Sequence, residues 1–335
     1  PFHIGLILNV LNRAEKAPDL AAFVSNQKNW SLYSLLAKLV AGLPGETRSI
    51  LQYASCAGFT TEQTLLMTLR DLSHEELQRI LEPAAELGLV KLDGKLHHFS
   101  HDSVREHINS EIQKDQAEFL HAEIARSMLR LNVKSTDQHL AIAEQIVKAN
   151  RNSLIFDALD AALPALFKAS QIAKAVGSLK AALRYAEHGI ALLSDNNAVN
   201  SYRWKLAELR CAILLDIHGS ALNDREVERL FSQAENALER AKAIKLRSGV
   251  LILRGQFEDA IDTAIKGLAD LDVVISRKPS QTEVAEAYES TIRAIRKLSG
   301  DNVSQQQAIA DESVTVAMDL LAALQSSWFS NDSLK

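Results

Sequence analysis

Apolar residues in this chain recur at three- and four-residue intervals over most of its length, the spacing of helices that bury one face. Ile4, Ile7, Leu8 and Leu11 open the series. Three further helices are predicted over 46–57, just after Pro44, over 61–69 with Thr60 or Thr61 as cap, and over 74–87. Ser73 followed by Glu76 is the signature of a reciprocal cap at the last of these. One stretch departs from the period. In "GLVKLDGKLHHFS", residues 88–100, two short apolar runs flank Asp93 and Gly94, and Asp-Gly predicts a tight β-hairpin. Helical spacing then resumes with Val104, Ile108 and Ile112, capped by Ser100 or Asp102. Three helices followed by a hairpin is the order of a winged helix.

No strand pattern is seen beyond residue 115. Residues 177–193, "GSLKAALRYAEHGIALL", resemble residues 255–271, "GQFEDAIDTAIKGLADL", and the two stretches lie 78 residues apart. Gly177/Gly255, Ala182/Ala260, Ala186/Ala264, Gly189/Gly267, Ala191/Ala269 and Leu193/Leu271 coincide without a gap. That offset is two units of 39 residues, close to a helix-pair repeat. Small residues on one helical face allow the close helix contacts that stacked hairpins require. A weaker middle unit is expected at 227–238, with Leu230, Phe231, Ala234 and Leu238 on one face. Pro279 interrupts the array, a helix restarts at Ser280 or Thr282, and residues 299–306 form a polar linker. The expected fold is mostly α: a winged-helix domain with a short β-hairpin, followed by a TPR-like α-solenoid.

Composition agrees with this reading. Only 13 glycines and 6 prolines punctuate 335 residues, and the net charge of −5 gives no bulk attraction to polyanions. The third helix of the winged domain carries Glu75, Glu76, Glu82 and Glu86 against Arg79, the wrong sign for the phosphate contacts of DNA binding. No nucleic-acid partner is expected. Two cysteines, Cys56 and Cys211, sit among apolar helical neighbours, which predicts core residues in a reducing, cytoplasmic setting. No run reaches the roughly 18 to 20 apolar residues of a membrane span, and the N-terminus lacks a signal-peptide pattern. The first residue is Pro1, and the chain is read as a piece of a longer protein.

The chemistry-bearing residues cluster in "FSHDSVREHI", residues 99–108. Adjacent side chains diverge, so Ser100, His101 and Asp102 do not form a catalytic triad, and no glycine-rich elbow is present. His97 and His98 point to opposite faces of a strand, and no cysteine or carboxylate completes a metal set with His101. No GxxxxGK[ST] loop and no GxGxxG occurs. The chain is expected to hold no catalytic site, no metal and no nucleotide of its own.

"FSHDSVREHI" resembles the FSHDRVQ-type motif of multidomain signalling proteins that join a serine/threonine kinase-like domain, a STAND-class AAA-type ATPase and a sensor histidine kinase. It is also similar to the methionine-histidine-aspartate motif of nucleotide-binding leucine-rich-repeat receptors. "WSLYSLLAKLVAGLPGETRSILQYASCAGF" (30–59) resembles the start of the winged-helix region of the kinase and ATPase fusions. "FLHAEIARSML" (119–129) is similar to their LHxxIGRxLL helix, with Ala125 where they have glycine. "AALRYAEHGIALL" (181–193) is similar to their AxxYxxxGxxLL repeat helix, and Trp204 aligns with the tryptophan that follows it. Ser103 stands where the family often has arginine.

The resemblance, in the same order over about residues 30–280, implies a division of the chain. Residues 1–29 would end the helical part of the ATPase module, 30–113 form the winged helix, 114–275 the TPR-like repeats, and 276–335 further repeats. It implies that ATP or ADP is held by an upstream P-loop domain and that His101 reads its phosphate. Arg105, one turn on, would face the same interface, and Asp102 would cap the helix or orient His101. The repeats would bind a protein partner or signalling ligand and gate an output kinase in two-component signalling. A plain helical-repeat interaction scaffold is the alternative.

Overall fold

The computed structural model describes residues 32–131, 135–149, 158–196, 201–298 and 311–332. The expected helical end at 1–29 and the polar linker at 299–306 lie outside the described residues. The chain forms two compact units, Pro1–Ile172 and Ala173–Lys335.

In the first unit, α1 (Leu32–Ala41) and α2 (Gly45–Ala57) precede a three-residue strand, β1 (Thr60–Glu62). Then come α3 (Gln63–Arg70), α4 (His74–Glu86), β2 (Val90–Asp93), β3 (Leu96–Phe99), α5 (Asp102–Ser110), α6 (Lys114–Arg130) and α7 (Thr136–Lys148). The three strands form an antiparallel sheet in the order β1-β3-β2. This is a winged helix with α6 and α7 following it. Leu36, Leu51, Leu66, Leu77, Leu81, Leu89, Phe99, Val104 and Ile124 share one core, none more than 1% exposed. Thr47 is buried within it, and its hydroxyl donates to the Ile80 carbonyl at 2.6 Å, fixing α2 against α4.

Local chemistry sets the element ends. At α4, Glu76 N–H donates to Ser73 Oγ at 3.2 Å and Ser73 N–H to Glu76 Oε2 at 2.8 Å, the expected capping box. The exposed face of α4 carries Glu75, Glu76, Glu82 and Glu86 beside Arg79. Two sequence expectations shift here. Thr60 and Thr61 belong to β1 rather than to a helix cap, because both pair with β3, Thr60 with His98 and Thr61 with His97. The wing turn is Gly94-Lys95, since Asp93 pairs with Leu96, and only Gly94 takes a positive φ, +56°. A two-residue turn with glycine at its first position suits the strand twist.

The second unit is a helical array. After α8 (Leu159–Ala175), which begins in the first unit, come α9 (Leu179–Asn196), α10 (Tyr202–His218), α11 (Asp224–Ser232), α12 (Ala237–Leu253), α13 (Phe257–Ala269), α14 (Gln281–Leu298) and α15 (Glu312–Asp332). Successive helices pair, α9 with α10 and α12 with α13, and α15 packs on both α12 and α13. The architecture is mostly α, a winged helix followed by a TPR-like solenoid.

The 78-residue repeat recurs bond for bond. Gly177 N–H donates to Lys174 O at 3.0 Å and Ser178 N–H to Ala173 O at 2.8 Å; Gly255 N–H donates to Ile252 O at 3.0 Å and Gln256 N–H to Leu251 O at 2.9 Å. Both glycines are left-handed, φ +77° and +71°, as helix stops of this kind require. Ala182, Ala186, Ala260 and Ala264 are fully buried. At Gly267 the approach is tightest: a Cβ there would lie 2.6 Å from Ile244 Cγ2 and 3.0 Å from Leu320 Cδ1.

The expected middle unit at 227–238 is not one helix. α11 ends at Ser232, and α12 starts afresh at Ala237 under Asn236, whose side chain accepts from Glu239 N–H at 2.9 Å. Leu230 is buried while Phe231 is 46% exposed, so the two do not share a face. The restart after Pro279 is as expected, with Ser280 and Glu283 forming a capping box at α14. Cys56 and Cys211 are both buried free thiols, pushed up to about 11 by desolvation.

Candidate functional site

The polar, chemistry-bearing stretch 99–108 falls at the exit of the wing, where both flanks are anchored. On the strand side, Phe99 is 1% exposed and its N–H donates to Phe59 O, while Ser100 N–H donates to Leu89 O. On the helix side, Val104, Ile108 and, past the end of α5, Ile112 are buried in the same core. The joint between them is therefore fixed in place, with His101 exposed at its apex.

His101 itself is the N-cap of α5. Its backbone is extended, φ −154° and ψ 150°, and its Nδ1 accepts from Ser103 N–H at 3.2 Å. The same nitrogen touches the Ser103 hydroxyl. Neither Ser100 nor Asp102 plays the capping part that sequence reasoning gave them. With Nδ1 accepting the Ser103 N–H, Nε2 is the position for a ring proton.

Asp102 forms an ion pair with Arg105, one turn along α5, with Nε 2.8 Å from Oδ1. That hydrogen bond holds the Asp102 carboxyl below the usual carboxylate range. The same bond occupies Arg105 Nε, so this arginine braces the first turn of α5.

The remaining histidines do not converge on this point. His97 is fully buried, its ring edge-on to Phe99 with centroids 5.1 Å apart. Burial pulls its pKa down to about 4. His98 lies on the other face of the sheet, its Nδ1 2.9 Å from Thr60 Oγ1. His107 is buried against the edge of Tyr33, with Nε2 3.4 Å from Glu111 Oε1. Among the described residues, no three His, Cys, Asp or Glu side chains group as metal ligands.

Sequence reasoning missed a second feature, a groove of 480 Å³ between α11, α12 and α13. Arg254 crosses one end and ties down the preceding connection, donating to Ser220 O, Leu222 O and Asp224 Oδ1 at 2.9, 2.6 and 2.7 Å. Along the walls stand Arg247 and Lys266 opposite in sign to Glu228 and Asp259. Charges three or four apart on α13 hint at such a wall, but the facing positions on α11 and α12 emerge only from packing.

Fold and joint together define a class, a winged helix whose capping histidine is presented at the surface, followed by a TPR-like array. No protein-family model matches the chain, and no curated protein matches it. Among solved structures it is similar to a Signal Transduction ATPase with Numerous Domains (STAND) protein with a tetratricopeptide repeat sensor from Pyrococcus horikoshii. Identity is 12% and the TM-score 0.35, over 95% of this chain and 53% of that one. The chain spans about half the length of that structure, and a likeness this low transfers no residue's role. Among the described residues, no helix is long and apolar enough to cross a membrane.

Proposed function

We propose that this chain is the regulatory part of a STAND-type signalling ATPase, in which the winged helix reads nucleotide held by a P-loop domain. The observation that carries the reading is His101: an exposed imidazole at a joint anchored on both flanks, with Nδ1 used by the cap. An imidazole N–H can donate a hydrogen bond to a phosphate oxygen. In this reading ADP favours the closed arrangement because only that arrangement brings its phosphate to His101, the differential contact that any ligand-driven population shift requires. The helical array receives a protein partner or signalling ligand, with the charged groove of α11, α12 and α13 as its seat. The output is a kinase domain of a cytoplasmic two-component pathway.

A second reading has an observation of its own. The cap alone accounts for a histidine at position 101, which leaves the chain a helical-repeat scaffold. The two separate through paired variants in the longer protein that joins this chain to a P-loop domain. His101→Asn keeps a good N-cap but removes the imidazole, whereas His101→Ala removes both. The switch reading expects Asn to preserve thermal stability and to speed ADP release as much as Ala does. If His101→Asn retains ADP like the unaltered protein, the sensor role is lost and the scaffold stands.

A further inference from the structure

We propose that α14 is a hinged strap that closes antiparallel on the outer face of α15 and masks it. Two apolar strips in the second unit carry the inference. On α14, every residue from Gln281 to Arg296 except Ile292 is exposed. Val284, Tyr288 and Ile295 share one side of that helix, and each is more than half exposed. Glu283, Glu286, Arg293 and Arg296 take the remaining sides. Helices in proteins owe most of their stability to packing of such an apolar side, and α14 as it stands has that side open to water.

The matching strip lies on α15. That helix is fixed to the array: Val316, Leu320 and Leu324 are buried in one cluster with Ala241, Ile244 and Ile261. Glu312 and Asp319 pair with Lys242 and Lys245 of α12. Beside this buried side, Val314, Met318 and Trp328 are exposed, with Leu321 half-buried among them. Positions 314, 318, 321 and 325 follow the same alternation of four- and three-residue steps as 284, 288, 291 and 295 on α14. Gln325 and Thr291 are the polar members of the two strips. Equal spacing of this kind lets two helices interdigitate along one seam.

The root of α14 sets the direction of closure. Arg277 is held by Glu258 and Asp262 of α13, and Ser280 and Glu283 cap α14, so the pivot is confined to Lys278 and Pro279. Pro279 lines a groove of 560 Å³ together with Leu321, Gln325 and Trp328, which puts the start of α14 beside the C-terminal half of α15. From there the two helices meet antiparallel. With Val284 level with Gln325, Tyr288 meets Leu321, Thr291 meets Met318 and Ile295 meets Val314. The same register keeps Gln281 level with Trp328, in agreement with the groove at the root. Residues 299–310 join the far ends, a length ample for a helix hairpin. A partner that seats an amphipathic helix on α15 has to displace α14 first, and this holds whether or not the nucleotide reading does.

The test is disulfide trapping in the 335-residue chain, where Cys56 and Cys211 are buried and stay out of the reaction. Val284→Cys with Gln325→Cys is expected to form a disulfide within one chain under mild oxidation. Val284→Cys with Val314→Cys is expected to form none, because positions 314 and 325 lie about 16 Å apart along a helix and the bond tolerates only about 7 Å between Cα atoms. Adding Tyr288→Glu, which puts a charge into the seam, should abolish the first disulfide, whereas Glu286→Gln on another side of α14 should leave it unchanged. A first pair that yields no more disulfide than the second overturns the proposal. So does a disulfide that forms only between chains, for the cover is then a second copy. Hydrogen exchange gives an answer without cysteines: the α14 amides are expected to be protected in the unaltered chain and to lose that protection in Tyr288→Glu. Unprotected α14 amides in the unaltered chain overturn the strap.

Discussion

Replacing His97 by leucine should make the winged-helix unit more stable at neutral pH and markedly less sensitive to acid. His97 is 0% exposed and burial holds its pKa near 4, against 6.5 for the free side chain, with His98 adding to the depression. Between those values the unfolded chain carries a proton on this ring and the native state does not. Stability therefore falls as pH drops from about 6.5 to about 4, and this contribution levels off below that. At pH 4.5 the loss from this ring is on the order of 2 to 3 kcal/mol, at about 1.4 kcal/mol for each pH unit below 6.5. Leucine cannot take up the proton, and it also removes buried polar atoms that lack partners, worth about 1 to 3 kcal/mol at any pH. Urea titrations by circular dichroism at pH 7 and pH 4.5 measure both effects, with hydrogen exchange at the β3 amides identifying the unit that unfolds. His121 is also depressed by burial but is present in both proteins and cancels in the comparison. Curves for the two proteins separated by the same amount at both pH values would refute the reasoning.

Other outcomes follow from packing and capping. Gly267→Ala should destabilise the helical array by about 1 to 3 kcal/mol despite alanine's better helix propensity, because the new methyl meets Ile244 at 2.6 Å; thermal unfolding of the second unit reads this. Gly255→Ala meets open space but has φ +71°, so about 1 kcal/mol is lost through the backbone alone. Ser73→Ala removes half of a capping box and should lower the stability of the first unit by about 1 kcal/mol in denaturant titrations.

The parts of this fold that were legible in sequence are those settled by neighbours along the chain. The Ser73–Glu76 box and the helix restart at Ser280 each complete their hydrogen bonds within a few residues, and so do Gly177 and Gly255, which the sequence marked only as matching positions of the repeat. β1 was not legible: three residues are too few for a period, and only pairing with β3 makes them a strand. The break between α11 and α12 hid inside a run with helical spacing, where Asn236 as a cap outweighs the apolar pattern. At the joint, residue types located the site but misassigned its parts. Serine and aspartate are the usual caps, yet the extended backbone falls at His101, and Asp102 one step inside the helix is free to take Arg105.

Helix α12 has apolar residues in two clusters. Ala243, Leu246 and Val250 pack toward α10 and α11, while Ala241 and Ile244 pack toward α13 and α15. A helix shared in this way couples what would otherwise be independent repeats. Neither cluster can open without stripping one side of α12, so α10 to α13 together with α15 should melt as a single cooperative block rather than fray hairpin by hairpin.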